Sequence, residues 1–357
     1  MTLEICNVSK RLGLFSLGPL NINIDKEILV IIGPTGSGKT SLLNIIAGIL
    51  KPDKGNIWLE GKNITKQPTE SRKIGYVFQH PSLFPHLTTY NNIVFGLGRR
   101  KQDTENVSTV KKVIDDLGIG DLLDRKIDYL SGGEMQKVSL ARMLVMQPKI
   151  ILLDEPLANL DFPTRDKLRI ELRNILRKLK IPVIHVSHFE EDVYALADSI
   201  AVMDKGKIET SGNIEQILKF QNTISSEFLN KVTALGNYLI GLVINSEDDL
   251  TSFKIGSTVL YTVGKFIPKS RIGVIVKKED IILARDKVKT SARNMIYARV
   301  ENIIRISNNV DVHLKSDELT LISRITRRAA DELNLTAGDH IYVIFKASSP
   351  HLIREEN

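Results

Sequence analysis

One cysteine stands among 357 residues, Cys6. A lone thiol excludes an intramolecular disulfide and a cysteine-cluster metal site, and in the first strand-like stretch it reads as a small buried hydrophobe. Long apolar runs are missing too. None approaches the roughly 18 to 20 residues that cross a bilayer, and the best, Ile28 to Ile32 and Ile150 to Leu153, have the length of buried strands. Met1 to Ser9 lacks the basic segment, apolar core and cleavage site of a secretory leader. The expectation is a cytoplasmic protein whose attachment to a membrane comes through partners. Heptads, fixed-period repeats and low-complexity tracts are absent as well.

Charge of one sign is not concentrated anywhere. The formal net charge of +7 suits nucleic acid, anionic lipid or small anions in principle. It is dispersed, however, through mixed clusters such as Arg99 to Lys101 and Lys277 to Asp280, which read as solvated surface. Hydrophobic residues at 42% and charged residues at 25% describe an ordinary globular protein. The length exceeds what one core usually serves, so a catalytic domain over residues 1–228 and a smaller domain over 229–357 are expected.

Within the first domain, Ile28 to Ile32 leads into a glycine-rich loop and then the helix-like Ser41 to Ala47, a strand, loop and helix in succession. Residues 81–146 carry helical patterning and separate this strand from Ile150 to Leu153. Strands near Pro182 to Val186 and Ile200 to Met203 alternate with helical Lys167 to Leu179 and Glu190 to Ala197. The pattern predicts an α/β fold, a largely parallel sheet covered by helices with a helical subdomain inserted. After Phe228 the texture becomes short β runs, among them Thr258 to Val263, Arg271 to Val276, Ala298 to Ile306, Val310 to Leu314 and His340 to Phe345. These predict a small β-barrel.

The loop Gly33-Pro34-Thr35-Gly36-Ser37-Gly38-Lys39-Thr40 is a complete phosphate-loop pattern. Its glycines let successive N–H groups face a phosphate; Lys39 reaches the β/γ oxygens, the Thr40 hydroxyl suits Mg²⁺, and Ser41 opens the helix. The strand Ile150 to Leu153 ends in Asp154 and Glu155, the first placed for Mg²⁺ and the second to orient an attacking water opposite ADP. About 20 residues earlier, Leu130-Ser131-Gly132-Gly133-Glu134 opens a helix with another anion cradle. Since Lys39 already holds the phosphates from one side, a second cradle makes sense where two copies sandwich ATP head to tail.

With these three motifs in order, residues 1–228 resemble the ATPase subunit of an ATP-binding cassette (ABC) transporter, a RecA-like P-loop NTPase. The resemblance implies ATP and Mg²⁺ as ligands, a homodimer, and two membrane permease subunits that hold the chain at the cytoplasmic face of the cell membrane. It makes Gln79 the lid glutamine touching Mg²⁺ and water, His188 the switch histidine at the γ-phosphate, and Asp161 the dimer-loop residue. Asn159 stands where alanine is more usual, Phe189 where aspartate is, and Lys137 where arginine is. Phe15 is the nearest ring for adenine stacking, with Leu12 near the usual place. The segment Gln79 to Leu97, with Phe84-Pro85-His86-Leu87, sits where family members grip a permease.

In the C-terminal domain, Ser291-Ala292-Arg293-Asn294, Ile325-Thr326-Arg327-Arg328-Ala329 and Lys346-Ala347-Ser348-Ser349 together resemble the molybdate-binding, OB-like β-barrel of Mop/TOBE type. The resemblance implies an importer of molybdate or tungstate, fed by an extracellular oxyanion-binding protein. The anion is then also a possible regulatory ligand, held by Ser291, Arg293, Asn294, Thr326, Lys346, Ala347 and Ser348. Short hydroxyl and backbone donors with modest positive charge suit a tetrahedral dianion. Importers of sulfate, sugar, polyamine or phosphonate remain open at this stage. So does a nucleic-acid-associated cassette ATPase, although the chain has neither the long coiled coil nor the second cassette such proteins usually carry, and no nucleic-acid partner is expected. An oxyanion-binding regulator with a vestigial ATPase is the third alternative, opposed by the presence of Lys39, Asp154, Glu155 and His188.

Overall fold

The computed structural model describes residues 2–213 and 236–356. It divides into two compact units, Met1–Ile217 and Leu218–Asn357. The boundary expected at residue 228 lies outside the described residues.

In the first unit, β1 (Thr2–Leu12) and β2 (Phe15–Asp25) form an antiparallel hairpin. The pleat sends Leu3, Ile5 and Val8 inward. Cys6, one residue past Ile5, is therefore exposed and not the buried hydrophobe expected. After β3 (Ile28–Ile32) and α1 (Lys39–Ala47), β4 (Lys54–Leu59) and β5 (Lys62–Asn63) complete a four-stranded sheet in the order β2-β1-β4-β5. Next come β6 (Ile74–Val77) and the helices α2 (Thr89–Val94), α3 (Thr104–Leu117) and α4 (Gly132–Leu144). The chain continues through β7 (Ile150–Asp154), α5 (Phe162–Leu179), β8 (Val183–Val186), α6 (Glu190–Leu196), β9 (Ser199–Asp204) and β10 (Lys207–Asn213).

The second sheet of this unit runs β10-β9-β3-β8-β7-β6. All its pairings are parallel except the edge pair β10 and β9. Every residue of β3, β7 and β8 is buried, the uniform apolarity of strands covered on both faces. Because β6, β7, β8 and β3 run in parallel, the residues that follow them emerge at one edge, where ligands of open α/β sheets bind.

The second unit is antiparallel β. Its strands are β11 (Asn237–Glu247), β12 (Leu250–Ile255), β13 (Thr258–Val263), β14 (Arg271–Val276), β15 (Ile282–Ala284), β16 (Asn294–Ile306), β17 (Asn309–Ser316) and β18 (Leu319–Thr326). A short helix α7 (Arg327–Glu332), β19 (His340–Phe345) and β20 (His351–Glu356) follow. Two five-stranded sheets, β13-β12-β11-β14-β20 and β15-β19-β16-β17-β18, share one core that includes Phe253, Val274, Val312, Val343 and Phe345. Asp311 is buried at 4% exposure and is matched by Lys278 at 3.2 Å and by Arg324, whose Nε donates at 2.6 Å. Their hydrogen bonds and charges outweigh burial and hold its carboxyl below the usual range.

One buried cation fixes the C-terminal end of α1, the helix that follows the phosphate loop. Arg72, 3% exposed, donates to the Ile45 and Ile46 carbonyls in the last turn of α1 and to those of Thr65 and Gln67. A helix C-terminus leaves such carbonyls unpaired and carries partial negative charge, so a guanidinium there serves twice. Gly48 makes room for it: φ is 86° and a Cβ would lie 2.6 Å from Arg72 Nε. Burial lowers the Arg72 pKa from its ordinary value without giving it a charged partner among the described residues. Arg72→Met keeps bulk but strands these carbonyls. It is expected to destabilise the first unit by on the order of 2–3 kcal/mol and to lower its thermal midpoint by about 5–10 °C. An unchanged midpoint by calorimetry would remove Arg72 from this role.

Candidate nucleotide site

The loop between β3 and α1 is pressed against its surroundings. A Cβ on Gly33 would sit 2.0 Å from the Met203 carbonyl oxygen, and one on Gly38 would meet Leu17 and the Phe15 ring at 2.8 and 3.0 Å. Gly36 and Gly38 also have φ of 83° and 103°, the left-handed region open to glycine. Phe15 thus lies against the loop at Gly38 and packs on the core. Lys39 Nζ donates to the carbonyls of Gly33 at 2.8 Å and Pro34 at 2.9 Å. Burial lowers the Lys39 pKa, and the Glu155 and Asp154 charges pull it back up.

Asp154 at the end of β7 faces α1. Its Oδ1 accepts from Thr40 Oγ1 at 3.1 Å, and its Oδ2 lies 3.3 Å from the Tyr76 hydroxyl, which also reaches Asn44 Oδ1 at 3.1 Å. Burial raises the Asp154 pKa against the opposing pull of Thr40 and Tyr76. Burial and the Asp154 carboxylate raise that of Tyr76 as well. A desolvated carboxylate oxygen beside a hydroxyl is a hard donor pair suited to Mg²⁺, which takes few protein ligands and completes its shell with phosphate and water. Among the described residues no cluster of three or more acidic, histidine or cysteine side chains could hold a metal by itself. A cation at Thr40 and Asp154 would therefore depend on the nucleotide.

Glu155, one residue on, has φ of 47°. It is one of fourteen non-glycine residues with positive φ among the described residues, a conformation that turns the chain sharply after β7. The turn directs its carboxylate to meet the other strand ends: Oε2 lies 3.0 Å from His188 Nδ1 and accepts from Gln79 Nε2 at 3.4 Å. The structure thus brings Lys39, Thr40, Asp154, Glu155, Gln79 and His188 to one edge of the sheet. Asn159, after Glu155, donates to the Gln79 carbonyl at 3.3 Å and lies 3.2 Å from His80 Nδ1.

Ser131 caps α4. Its hydroxyl accepts from the Glu134 N–H at 3.3 Å, and Glu134 Oε2 accepts from the Ser131 N–H at 2.7 Å, a capping box. The backbone and hydroxyl bonds to Ser131 hold the Glu134 carboxyl below its ordinary pKa. Leu130 is buried behind the cap, and Gly133 is so close to α5 that a Cβ would lie 2.8 Å from Thr164 Cγ2. Lys137, in place of arginine, pairs with Glu171 of α5 at 2.6 Å and donates to the Leu117 carbonyl at 3.2 Å. Asp161 caps α5 by accepting from the Thr164 N–H at 3.3 Å.

In the second unit the expected oxyanion residues are divided. Asn294 pairs with Phe345, and its amide donates to the Tyr261 carbonyl at 2.9 Å and the Lys346 carbonyl at 3.5 Å while its oxygen accepts from Tyr261 N–H at 2.7 Å. Ser291 to Asn294 and Lys346 to Ser348 are thereby brought together, with Ser291, Arg293, Lys346 and Ser348 exposed. Asn294 itself is 1% exposed, its amide committed to the tie. Ala347 accepts from Val263 N–H at 3.0 Å. Thr326 is not brought to them. It caps α7 and pairs with Asn309, which pairs in turn with Ile306 at the opposite end of the 13-residue β16.

Sequence reasoning missed Arg72, Tyr76 and Asn44. It also missed the polar group around Asp192, described below. Only Tyr76 had a signal, a hydroxyl two residues before Phe78 in a strand next to the one bearing Asp154.

The ABC transporter family profile matches residues 18–158, and the TOBE domain profile matches residues 290–352. A molybdate/tungstate import ATP-binding protein of Pyrococcus abyssi is 38% identical over 97% of this chain and 98% of its own length. A sulfate/thiosulfate import ATP-binding protein of Mesostigma viride is 33% identical over 99% of both chains. Among solved structures, a dimeric ATP-binding cassette in a post-hydrolysis state bound to ADP and Pi superposes with a TM-score of 0.53 at 28% identity, over 59% of this chain and 98% of that one. No helix among the described residues is long and apolar enough to cross a membrane. With the phosphate loop, the two carboxylates and the capped signature helix in place, the chain belongs to the ABC transporter family, as one of its import ATP-binding proteins.

Proposed function

We propose that this chain hydrolyses ATP to drive uptake of molybdate or tungstate through a membrane permease. The convergence of Lys39, Thr40, Asp154, Glu155, Gln79 and His188 carries the ATPase part. Lys39 and the loop N–H groups bind the β- and γ-phosphates. Glu155 accepts a hydrogen bond from the attacking water and orients it in line with the leaving ADP, Gln79 closes the site over that water, and His188 donates to the γ-phosphate. Thr40 and Asp154, with Gln79 beside them, would hold Mg²⁺, which when bound would supply positive charge to the phosphates. Two copies close on two ATP molecules, with Leu130 to Glu134 of one facing the Lys39 loop of the other, Asp161 at the contact between them, and Phe15 against the adenine.

Around the expected permease grip, Asn92 closes the loop by accepting from Phe84 N–H at 2.8 Å and donating to the Phe84 and Thr88 carbonyls. Tyr90, Phe95 and Met146 remain exposed. An ordered loop bearing exposed apolar side chains suits a docking site at the cytoplasmic face. The substrate reading is supported by the P. abyssi relative and by the joining of Ser291 to Asn294 with Lys346 to Ser348 through Asn294. The M. viride relative keeps sulfate as the second reading. Feedback by accumulated oxyanion on this second unit follows if occupancy holds the nucleotide sites apart.

Glu155→Gln is expected to lower phosphate release by about 10²–10⁴-fold with ATP affinity retained. Turnover at the parent rate would remove Glu155 from the chemistry. In calorimetric titrations, molybdate and tungstate are expected to bind the full chain and sulfate is not. Binding should be lost in a Ser291→Ala, Lys346→Ala double variant. Sulfate binding alone would replace the substrate assignment.

A further inference from the structure

Four polar side chains that the nucleotide site does not use are packed together behind it. Arg169 of α5, His185 of β8, Ser187 and Asp192 of α6 are each 3% exposed or less. Asp192 Oδ1 accepts from Arg169 Nε at 2.7 Å, while Oδ2 lies 3.1 Å from His185 Nε2 and accepts from Ser187 Oγ at 2.6 Å. His185 Nδ1 has no partner among the described residues, so the ring carries its proton on Nε2 and donates it to Asp192. Burial would raise the Asp192 pKa, but His185, Arg169 and Ser187 together bring it down to about 2. The carboxylate is therefore held in its ionised form, with both oxygens engaged.

Ser187 gives this arrangement a direction. Its hydroxyl donates to Asp192 and accepts from the Phe189 N–H at 3.0 Å, while its own N–H donates to the Ile31 carbonyl of β3 at 3.2 Å. His188 lies between Ser187 and Phe189, so both of its chain neighbours are fastened through one oxygen. Its ring projects to Glu155, 3.0 Å away, and is otherwise half exposed. The Phe189 ring lies beside it, 4.0 Å away between centroids, so its aim depends on the backbone that carries both rings.

We infer that Asp192, acting through Ser187, is a positioning residue for His188, and that Arg169 and His185 hold Asp192 in place. The inference rests on the reading of His188 as the γ-phosphate donor. A buried ion pair between α5 and α6 would by itself serve only the fold. What sets this group apart is that its exit is Ser187 Oγ, which leads to the peptide following His188.

The test uses the full chain and measures kcat, MgATP affinity and thermal midpoint for Ser187→Ala and Ser187→Thr, each in the parent and in a His188→Ala background. Ser187→Ala is expected to lower kcat by about a hundredfold, the scale of a 1 Å misplacement, with MgATP affinity held. Ser187→Thr, which keeps the hydroxyl, restores the rate. In the His188→Ala background Ser187→Ala should cost nothing further. The proposal is overturned if Ser187→Ala turns over at the parent rate, loses kcat equally in both backgrounds, or loses MgATP affinity in proportion. If His188→Ala alone leaves kcat intact, the failure belongs to the reading of His188. Should Ser187→Ala not fold, Asp192→Asn, which keeps the shape and one acceptor, is put through the same pair of backgrounds with the same expected non-additivity.

Discussion

Parallel pairing of β6, β7, β8 and β3 is the constraint on which the catalytic unit depends. Strands that run the same way must release their chains at the same edge, and this one fact collects the glycine loop, two carboxylates, a glutamine and a histidine from four places in the sequence. Burial of those strands on both faces then sets the electrostatics. Lys39 and Asp154 are each pushed by desolvation toward their neutral forms, in opposite directions along the pH scale. A metal triphosphate bound as proposed would reverse both tendencies, since it would offer anionic oxygens to one and a cation to the other.

The helical insertion is fixed to this edge by close contacts. Gly133 abuts Thr164 with no space for a methyl group, and Lys137 spans from α4 to Glu171 of α5. The signature helix therefore starts at a defined place relative to the segment carrying Asp161. Its own start is fixed by the capping box of Ser131 and Glu134, which leaves the Ser131 hydroxyl hydrogen available for another acceptor.

What was legible in the sequence was contiguous. The phosphate loop, the strand ending in Asp154 and Glu155, and the signature each carry their chemistry within a few adjacent residues, so local pattern sufficed. The β runs Thr258 to Val263, Arg271 to Val276 and His340 to Phe345 are strands as read. Arg72 was not legible, because its value comes from carbonyls some 26 residues away along the chain. Neither was Asp192, whose partners come from α5, β8 and the loop that follows β8. Cys6 failed for another reason: an apolar neighbourhood in sequence does not say which side of a pleat a residue takes. The three C-terminal fragments looked like one pocket in linear order, but a long strand separates Thr326 from the other two. Order along the chain carries no information on which end of β16 each one reaches.

Glu155 joins a left-handed backbone to the carboxylate proposed to orient the attacking water. Glycine would suit this backbone better but would carry no carboxylate to reach His188 and Gln79. At this position backbone preference and the proposed chemistry therefore ask for different residues, and the side chain present is the one that serves the chemistry.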